Sequence, residues 1–381
     1  MRTRSLLISV GVLVIGASLF VAGRVSVSNP PIATSNLPVS TAANPLFSPL
    51  SVDFTTLTRG WALGTIPCRG RSVCLSLTKT TDAGRSWKTS PLPNSLLHLA
   101  DRKVDGTPSI QLDNGNGALS MSVRFANGND GWIFGSLETP PKVSDEPMGT
   151  FVSILWSTHD GGRAWSPQPQ TWIYRQGTFL DLEATAKTVY VMSLNKTFNV
   201  TVESSLVGAD YWRVSKSQKL FIPAGGGFLS GAFVFSGSHG WLVEGNDRGV
   251  SGSAELTSSG QWAPWTPPCY TVGNSLAPLV ASTPTRLFTE CQMGGFASQL
   301  SKTAPHGAPL GSTWLYESKN AGRTFTAVKE LGLYDEFFGT VIASPSPNSI
   351  LITEGHSQID RLLATFDAGR HWSVVYLRGP L

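Results

Sequence analysis

The chain has 381 residues, with 29 Lys and Arg against 25 Asp and Glu and a formal net charge of +4. Its basic residues stand singly or in pairs, which excludes a nucleic-acid binder working through a basic cluster. Charged residues make up only 14% while Gly reaches 39 and Trp 12, a balance that suits many short strands joined by turns. No long amphipathic helical pattern is present.

At the amino terminus, Arg2 and Arg4 precede an uncharged apolar run from Leu6 to Ala22. Basic residues followed by such a run read as an export signal, so residues 1–25 are expected to be a signal peptide or signal anchor. The run falls between a signal-peptide core and a short membrane span in length, and a buried structural helix is the alternative. Val21-Ala22-Gly23 offers a cleavage site, and no Cys follows the run until Cys68, against a bacterial lipoprotein anchor. Arg2 and Arg4 hold the N-terminus inside and direct the rest outward. The expected location is extracellular, cell-surface or periplasmic, with one N-terminal transmembrane helix as tether if the segment is retained. Residues 26–49, rich in Pro, Ser, Thr, Ala and Asn, read as a flexible linker.

From residue 50 onward an octapeptide organises the chain. It is Thr80-Thr81-Asp82-Ala83-Gly84-Arg85-Ser86-Trp87, then Thr158-His159-Asp160-Gly161-Gly162-Arg163-Ala164-Trp165. Two more copies are Ser318-Lys319-Asn320-Ala321-Gly322-Arg323-Thr324-Phe325 and Thr365-Phe366-Asp367-Ala368-Gly369-Arg370-His371-Trp372. The Ser/Thr hydroxyl and the Asp/Asn side chain are suited to accept backbone N–H groups and close a tight turn. Gly84, Gly162, Gly322 and Gly369 supply the positive φ, and Trp87, Trp165, Phe325 and Trp372 start the next strand. Turn chemistry accounts for Asp82, Asp160, Asn320 and Asp367, so they are read as structural. This pattern resembles the Asp box, or bacterial neuraminidase repeat, of β-propellers. The resemblance implies an all-β fold of four-stranded antiparallel blades.

Strand signals recur ahead of each octapeptide at blade-like spacing. The first unit has Ser51–Phe54, Gly60–Gly64 and Val73–Leu77; the second has Ser122–Phe125, Gly131–Gly135 and Val152–Leu155. Gly-Trp follows a Phe at the same offset in both. The third unit keeps strands at Phe179–Ala184, Thr188–Ser193 and Phe198–Val202 but loses the octapeptide, with Tyr211-Trp212 in place of its aromatic. The fourth has Ala232–Phe235, Gly240–Val243 and Ala254–Leu256, with Trp262 as its aromatic. The fifth runs from Pro278 through Arg286–Phe288 to Thr313–Tyr316, and the sixth has Thr340–Ile342, Ile350–Ile352 and Leu362–Ala364. The expectation is a propeller over 50–381 of about six blades, with a seventh hidden in Pro91–Asn116 as the alternative.

Placed between third and fourth strands, the octapeptides share one face with the short first-to-second turns. The opposite face receives Pro67–Ser72, Ser136–Gly149, Asn246–Gly252, Gln292–Gly311, Pro91–Gly117 and Pro264–Asn274 as long loops. Long loops on a rigid scaffold are where binding concentrates, with neutral loop drift as the plain alternative. Four cysteines after an export signal predict disulfides. Cys68 and Cys74 bracket one of these loops, and Cys269 and Cys291 both fall on the loop face, favouring Cys68–Cys74 and Cys269–Cys291.

The family resemblance raises sialidase, whose members carry an Arg before Ile-Pro, further arginines, a Tyr–Glu pair and an acid–base Asp. Here Thr65 precedes Ile66-Pro67 and Phe221 precedes Ile222-Pro223. Arg124 is the one arginine on an inner strand. A glycosidase needs two facing carboxylates; Asp53, Asp181 and Glu183 lie on inner strands and Glu138, Asp145 and Glu146 on a rim loop, but spacing names no pair. No metal-binding or phosphate-loop pattern occurs, and Gly225-Gly226-Gly227 reads as a flexible connection. His159, His306 and His356 read as surface histidines. Asn195 and Asn199 head glycosylation acceptor triplets. No catalytic, cofactor or metal residue is assigned. The expected function is a non-enzymatic binding or scaffolding module for a protein, peptide or glycan, resembling non-catalytic Asp-box proteins such as photosystem II assembly factors and sortilin-type propellers. A cell-surface glycoside hydrolase or carbohydrate-binding propeller is the alternative.

Overall fold

The computed structural model describes residues 47–68, 71–97, 103–104, 107–108, 119–139, 150–168, 179–194, 199–219, 230–246, 249–257, 260–268, 279–292, 312–333, 342–346, 348–353 and 361–376. The N-terminal segment 1–25, nearly all of the linker, Cys269, His306, His356, Asn195, Asp145, Glu146, Ile222-Pro223 and Gly225–Gly227 lie outside them. Among the described residues no helix is long and apolar enough to cross a membrane.

The first sheet is β1 (Ser48–Phe54), β2 (Gly60–Cys68), β3 (Arg71–Thr80) and β4 (Lys88–Ser90), paired in chain order. A helical turn, α1 (Asn94–Leu97), and the short pair β5 (Lys103–Val104) and β6 (Thr107–Pro108) follow, within the stretch Pro91–Asn116. The second sheet is β7 (Leu119–Phe125), β8 (Gly131–Thr139), β9 (Thr150–Thr158) and β10 (Ser166–Pro167). The third is β11 (Phe179–Ala184), β12 (Thr188–Leu194), β13 (Asn199–Leu206) and β14 (Arg213–Lys219). The fourth is β15 (Ser230–Ser236), β16 (His239–Asn246), β17 (Gly249–Leu256) and β18 (Trp262–Pro264). The fifth is β19 (Leu279–Thr283), β20 (Arg286–Gln292), β21 (Ser312–Ser318) and β22 (Thr326–Leu333), and the last is β23 (Ile342–Ser346), β24 (Ser349–Thr353), β25 (Arg361–Thr365) and β26 (Ser373–Tyr376).

First strands of successive sheets touch in chain order from β1 through β7, β11, β15 and β19 to β23, and β23 touches β1. The chain is therefore an all-β propeller of antiparallel four-stranded sheets with its first strands around the axis.

The Gly-Trp repeat has a steric cause. Phe54, Phe125 and Phe235 pair across the first hairpin with Gly60, Gly131 and Gly240. A Cβ at these glycines would stand 2.6, 2.3 and 2.6 Å from the facing ring, so each ring lies flat on bare backbone. The tryptophan that follows enters the packing between sheets: Trp61, Trp132 and Trp241 are fully buried. Trp61 stacks on Phe125 of the next sheet with centroids 3.7 Å apart. Replacing such a Trp with Ala costs about 3–5 kcal/mol, so these residues hold blade to blade.

Several connections are tighter than the sequence predicts. The expected loops Pro67–Ser72 and Asn246–Gly252 are mostly strand, since β2 runs to Cys68, β3 starts at Arg71, β16 ends at Asn246 and β17 starts at Gly249. Glu138, expected on a rim loop, belongs to β8 and pairs with Phe151. The reason is backbone satisfaction, because each further residue pair in a hairpin supplies partners to groups otherwise left unpaired.

Candidate functional site

Each octapeptide closes the turn between the third and fourth strands of its sheet with the same bonds. Gly84, Gly162, Gly322 and Gly369 donate their N–H to Thr80, Thr158, Ser318 and Thr365 Oγ at 2.8–3.0 Å. Asp82, Asp160, Asn320 and Asp367 Oδ1 accept the N–H of Ser86, Ala164, Thr324 and His371, each at 2.9 Å. Two consecutive residues, not the glycine alone, are left-handed: φ is 63° and 81° at Ala83-Gly84, 77° and 88° at Gly161-Gly162, 59° and 81° at Ala321-Gly322, and 65° and 86° at Ala368-Gly369. The first of each pair then donates its N–H to the turn between the first and second strands of its own sheet, at Thr58, Asn129, Thr285 and Asn348 O. Both sets of turns thus occupy one face, the turn face; the strand ends from which the links between sheets and between second and third strands start lie at the other, the connection face. Trp87, Trp165 and Trp372 donate their indole N–H to the carbonyl of the octapeptide glycine at 3.1, 3.3 and 3.1 Å.

The third sheet carries a rearranged octapeptide. Ser205 to Trp212 repeats the spacing of Thr80 to Trp87, and Tyr211 N donates to Ser205 Oγ at 2.9 Å. Its acid comes late, as Asp210 with φ 48°, and reaches across to the second sheet. Asp210 Oδ2 accepts from Ser157 Oγ at 2.6 Å and Gln168 Nε2 at 2.7 Å, and lies 3.0 Å from His159 Nε2. His159 Nδ1 lies 2.8 Å from Asp130 Oδ1. His159 is exposed, as the sequence suggests, and also bridges two carboxylates on adjacent sheets. Burial lowers its proton affinity, but bonds to Asp210 and Asp130 outweigh that and hold its pKa above the ordinary value. The matching Ser-to-Trp spacing was the available sequence signal for this turn.

The other cluster lies on the first strands. Asp53, Arg124 and Glu183 hold the same register, one residue before the end of β1, β7 and β11, which places them toward the turn-face end of the axis. Arg124 Nη1 is 3.5 Å from Asp53 Oδ1, and its Nε is 3.7 Å from Glu183 Oε2. The Arg124 side chain is 21% exposed and its partners less. Arg124, read from the sequence as an isolated arginine, is therefore paired on both sides. Asp53 Oδ2 also accepts Phe125 N at 2.6 Å, and Asp181 Oδ2 accepts Phe233 N at 2.9 Å. In both cases a carboxylate on one first strand takes the N–H of the next first strand, latching sheet to sheet. Burial pushes Glu183 up to about 7 and Asp181 up to about 6 against the pull of Arg124. Burial raises Asp53 as well, with Arg124 opposing. Arg124 itself loses proton affinity to burial, but Glu183, Asp53 and Asp181 more than restore it.

Among the described residues no group of three or more His, Cys, Asp or Glu is arranged to hold a metal ion. Cys74 and Cys291 are each disulfide-bonded. Cys74 stands opposite Ile66, and Cys68 two residues further along β2 stands opposite Arg71.

No protein-family model matches the sequence, and no curated protein is similar to it. Solved structures similar to it share low identity. YCF48 bound to D1 peptide is 15% identical, with 87% of this chain and 82% of that chain covered and a TM-score of 0.41. A fungal lectin of six-bladed β-propeller fold from Aleuria aurantia is 9% identical over 89% of this chain and 99% of that chain, with a TM-score of 0.49. The Hadza microbial sialidase Hz136 is 12% identical over 88% and 66%, with a TM-score of 0.44.

Proposed function

We propose that this protein is an exported, non-enzymatic β-propeller that binds or scaffolds a protein, peptide or glycan through its connection face. The observation that carries this reading is the asymmetry of the two faces. Turn-face links are short, as from Phe54 to Gly60 and Thr283 to Arg286, and their backbone groups are bonded inside the turns. The connection face carries the long spans from Thr139 to Thr150, Gln292 to Ser312 and Pro264 to Leu279. Long segments on a rigid ring are free to vary without disturbing it. The axial carboxylates have structural work: Asp53 and Asp181 latch neighbouring sheets, and Glu183 is engaged by Arg124. Export rests on the N-terminal pattern and fits disulfide-bonded Cys74 and Cys291.

A cell-surface glycoside hydrolase is the second reading, and one feature favours it. Glu183, with a pKa of about 7, shares Arg124 with Asp53, and a raised carboxyl beside a second acid is what general acid catalysis uses. Assaying the purified protein on fluorogenic sialosides and neutral glycosides separates the two. The proposal expects no turnover above a heat-treated control. Turnover lost in Glu183→Gln, with the variant still folded, overturns it.

A further inference from the structure

Among the described residues the exposed large hydrophobic side chains are Leu57, Leu206, Tyr211 and Phe366, at 45%, 67%, 64% and 43% exposure. All four stand at one face: Leu57 in the β1–β2 turn, Leu206 at the end of β13 and Tyr211 in the rearranged octapeptide that follows it, and Phe366 inside the last octapeptide. The same turns present Arg59, Arg85, Arg163, Arg323 and Arg370, all exposed. None of these five arginines forms an ion pair within 4.0 Å among the described residues. Five acids of this face are drawn back into the turns: Asp82, Asp160 and Asp367 onto octapeptide backbone, Asp130 and Asp210 onto His159. Long guanidinium arms and apolar tips therefore project beyond short, internally bonded carboxylates. Arg213 adds to this, its guanidinium 4.9 Å from the Tyr211 ring centroid.

We propose that the turn face docks on a bilayer bearing anionic lipid. Guanidinium groups without an ion-pair partner match phosphate headgroups, which accept their paired N–H donors. The apolar tips decide between a bilayer and a soluble polyanion. Leu57, Leu206 and Phe366 gain nothing from a sulfated or phosphorylated chain in water, whereas at the headgroup–acyl boundary they leave water while the arginines stay among the phosphates. The tips are spread over separate sheets, so the contact is a shallow platform and not a single insertion point. Docked this way, the ring turns its connection face, where the proposed ligand binds, toward solvent.

The test is hydrogen exchange on the full chain with vesicles of phosphatidylcholine alone or mixed with phosphatidylglycerol. Reading amides in the turns 55–59, 205–212 and 366–372 separates this contact from anything the Leu6–Ala22 run does on the same vesicle. Protection of these turns only with phosphatidylglycerol is expected, with the partition constant falling about tenfold or more in Arg85→Gln/Arg370→Gln. Leu206→Ser/Phe366→Ser should lose protection as well. These side chains are exposed, so unchanged circular dichroism is expected in both variants. No protection, equal protection on phosphatidylcholine alone, or equal protection from dextran sulfate without vesicles overturns the proposal.

Discussion

Trp265 donates its indole N–H to the carbonyl of Gly322 across 3.0 Å, from the fourth sheet to the fifth. The other three octapeptides fill this bond from their own terminal Trp, whereas the third ends in Phe325, which has no donor. The neighbouring sheet supplies the missing N–H, and a Cβ at Gly322 would stand 2.8 Å from that same Nε1. A turn motif has become an inter-blade joint.

Trp265→Phe should therefore destabilise the protein by about 1 kcal/mol, the net worth of a buried hydrogen bond whose acceptor is left unpaired. Phe325→Trp added to Trp265→Phe should recover part of the loss, because the octapeptide then carries its own donor. Chemical denaturation midpoints of the two variants measure both effects.

Asp160→Ala should cost about 1 kcal/mol, in the range of a helix cap or turn acceptor. The carboxylate accepts from Arg163 N, Ala164 N and the Thr158 hydroxyl, yet the residue is exposed, so water replaces part of what is lost. Denaturation in urea reads the cost, and ligand affinity should not change at temperatures where the variant is folded.

The His159 bridge predicts a pH dependence of definite sign. Its folded pKa lies above the ordinary value, so the stabilisation is present at low pH and fades as pH rises through the folded pKa. The stability gap between the native chain and His159→Gln should be wider at pH 6 than at pH 8.5. An imidazole titrating below its ordinary pKa by NMR would contradict this.

Glu183 works in the same direction through a different group. Its folded pKa of about 7 exceeds the ordinary carboxyl value, so the folded state holds the proton more tightly and stability falls as pH rises between the two. Glu183→Gln should flatten that part of the profile. Arg124→Met should steepen it, because three buried carboxylates lose their shared cation.

Non-reducing peptide mapping should join Cys68 to Cys74 and Cys269 to Cys291. A bond linking Cys74 to Cys269 would contradict the pairing argued from the faces of the ring.

The blades were readable from the sequence because their signals are local: hydroxyl, acid, glycine and aromatic within eight residues, and Phe before Gly-Trp. What escaped the sequence was contact between strands far apart in the chain. Arg124 looks solitary until β1, β7 and β11 are brought to one axis with Asp53 and Glu183 at matching register. His159 looks free until Asp130 and Asp210 close on it from two turns. The rearranged turn at Ser205–Trp212 does not show the octapeptide pattern because its acid stands three places later, although hydroxyl and Trp keep their spacing. Loops at Pro67–Ser72 and Asn246–Gly252 are shorter than their composition suggests because hairpin pairing runs on wherever backbone partners are available.

Binding of the full chain to peptide and glycan arrays, before and after replacing residues 294–310 with a short Gly-Ser turn, tests the central claim most directly. The account predicts that the native chain retains a ligand uncleaved, that the replacement abolishes retention while the melting temperature is kept, and that Glu183→Gln still binds. Retention unaffected by the loop replacement, or a ligand cleaved by the native chain and spared by Glu183→Gln, would contradict it.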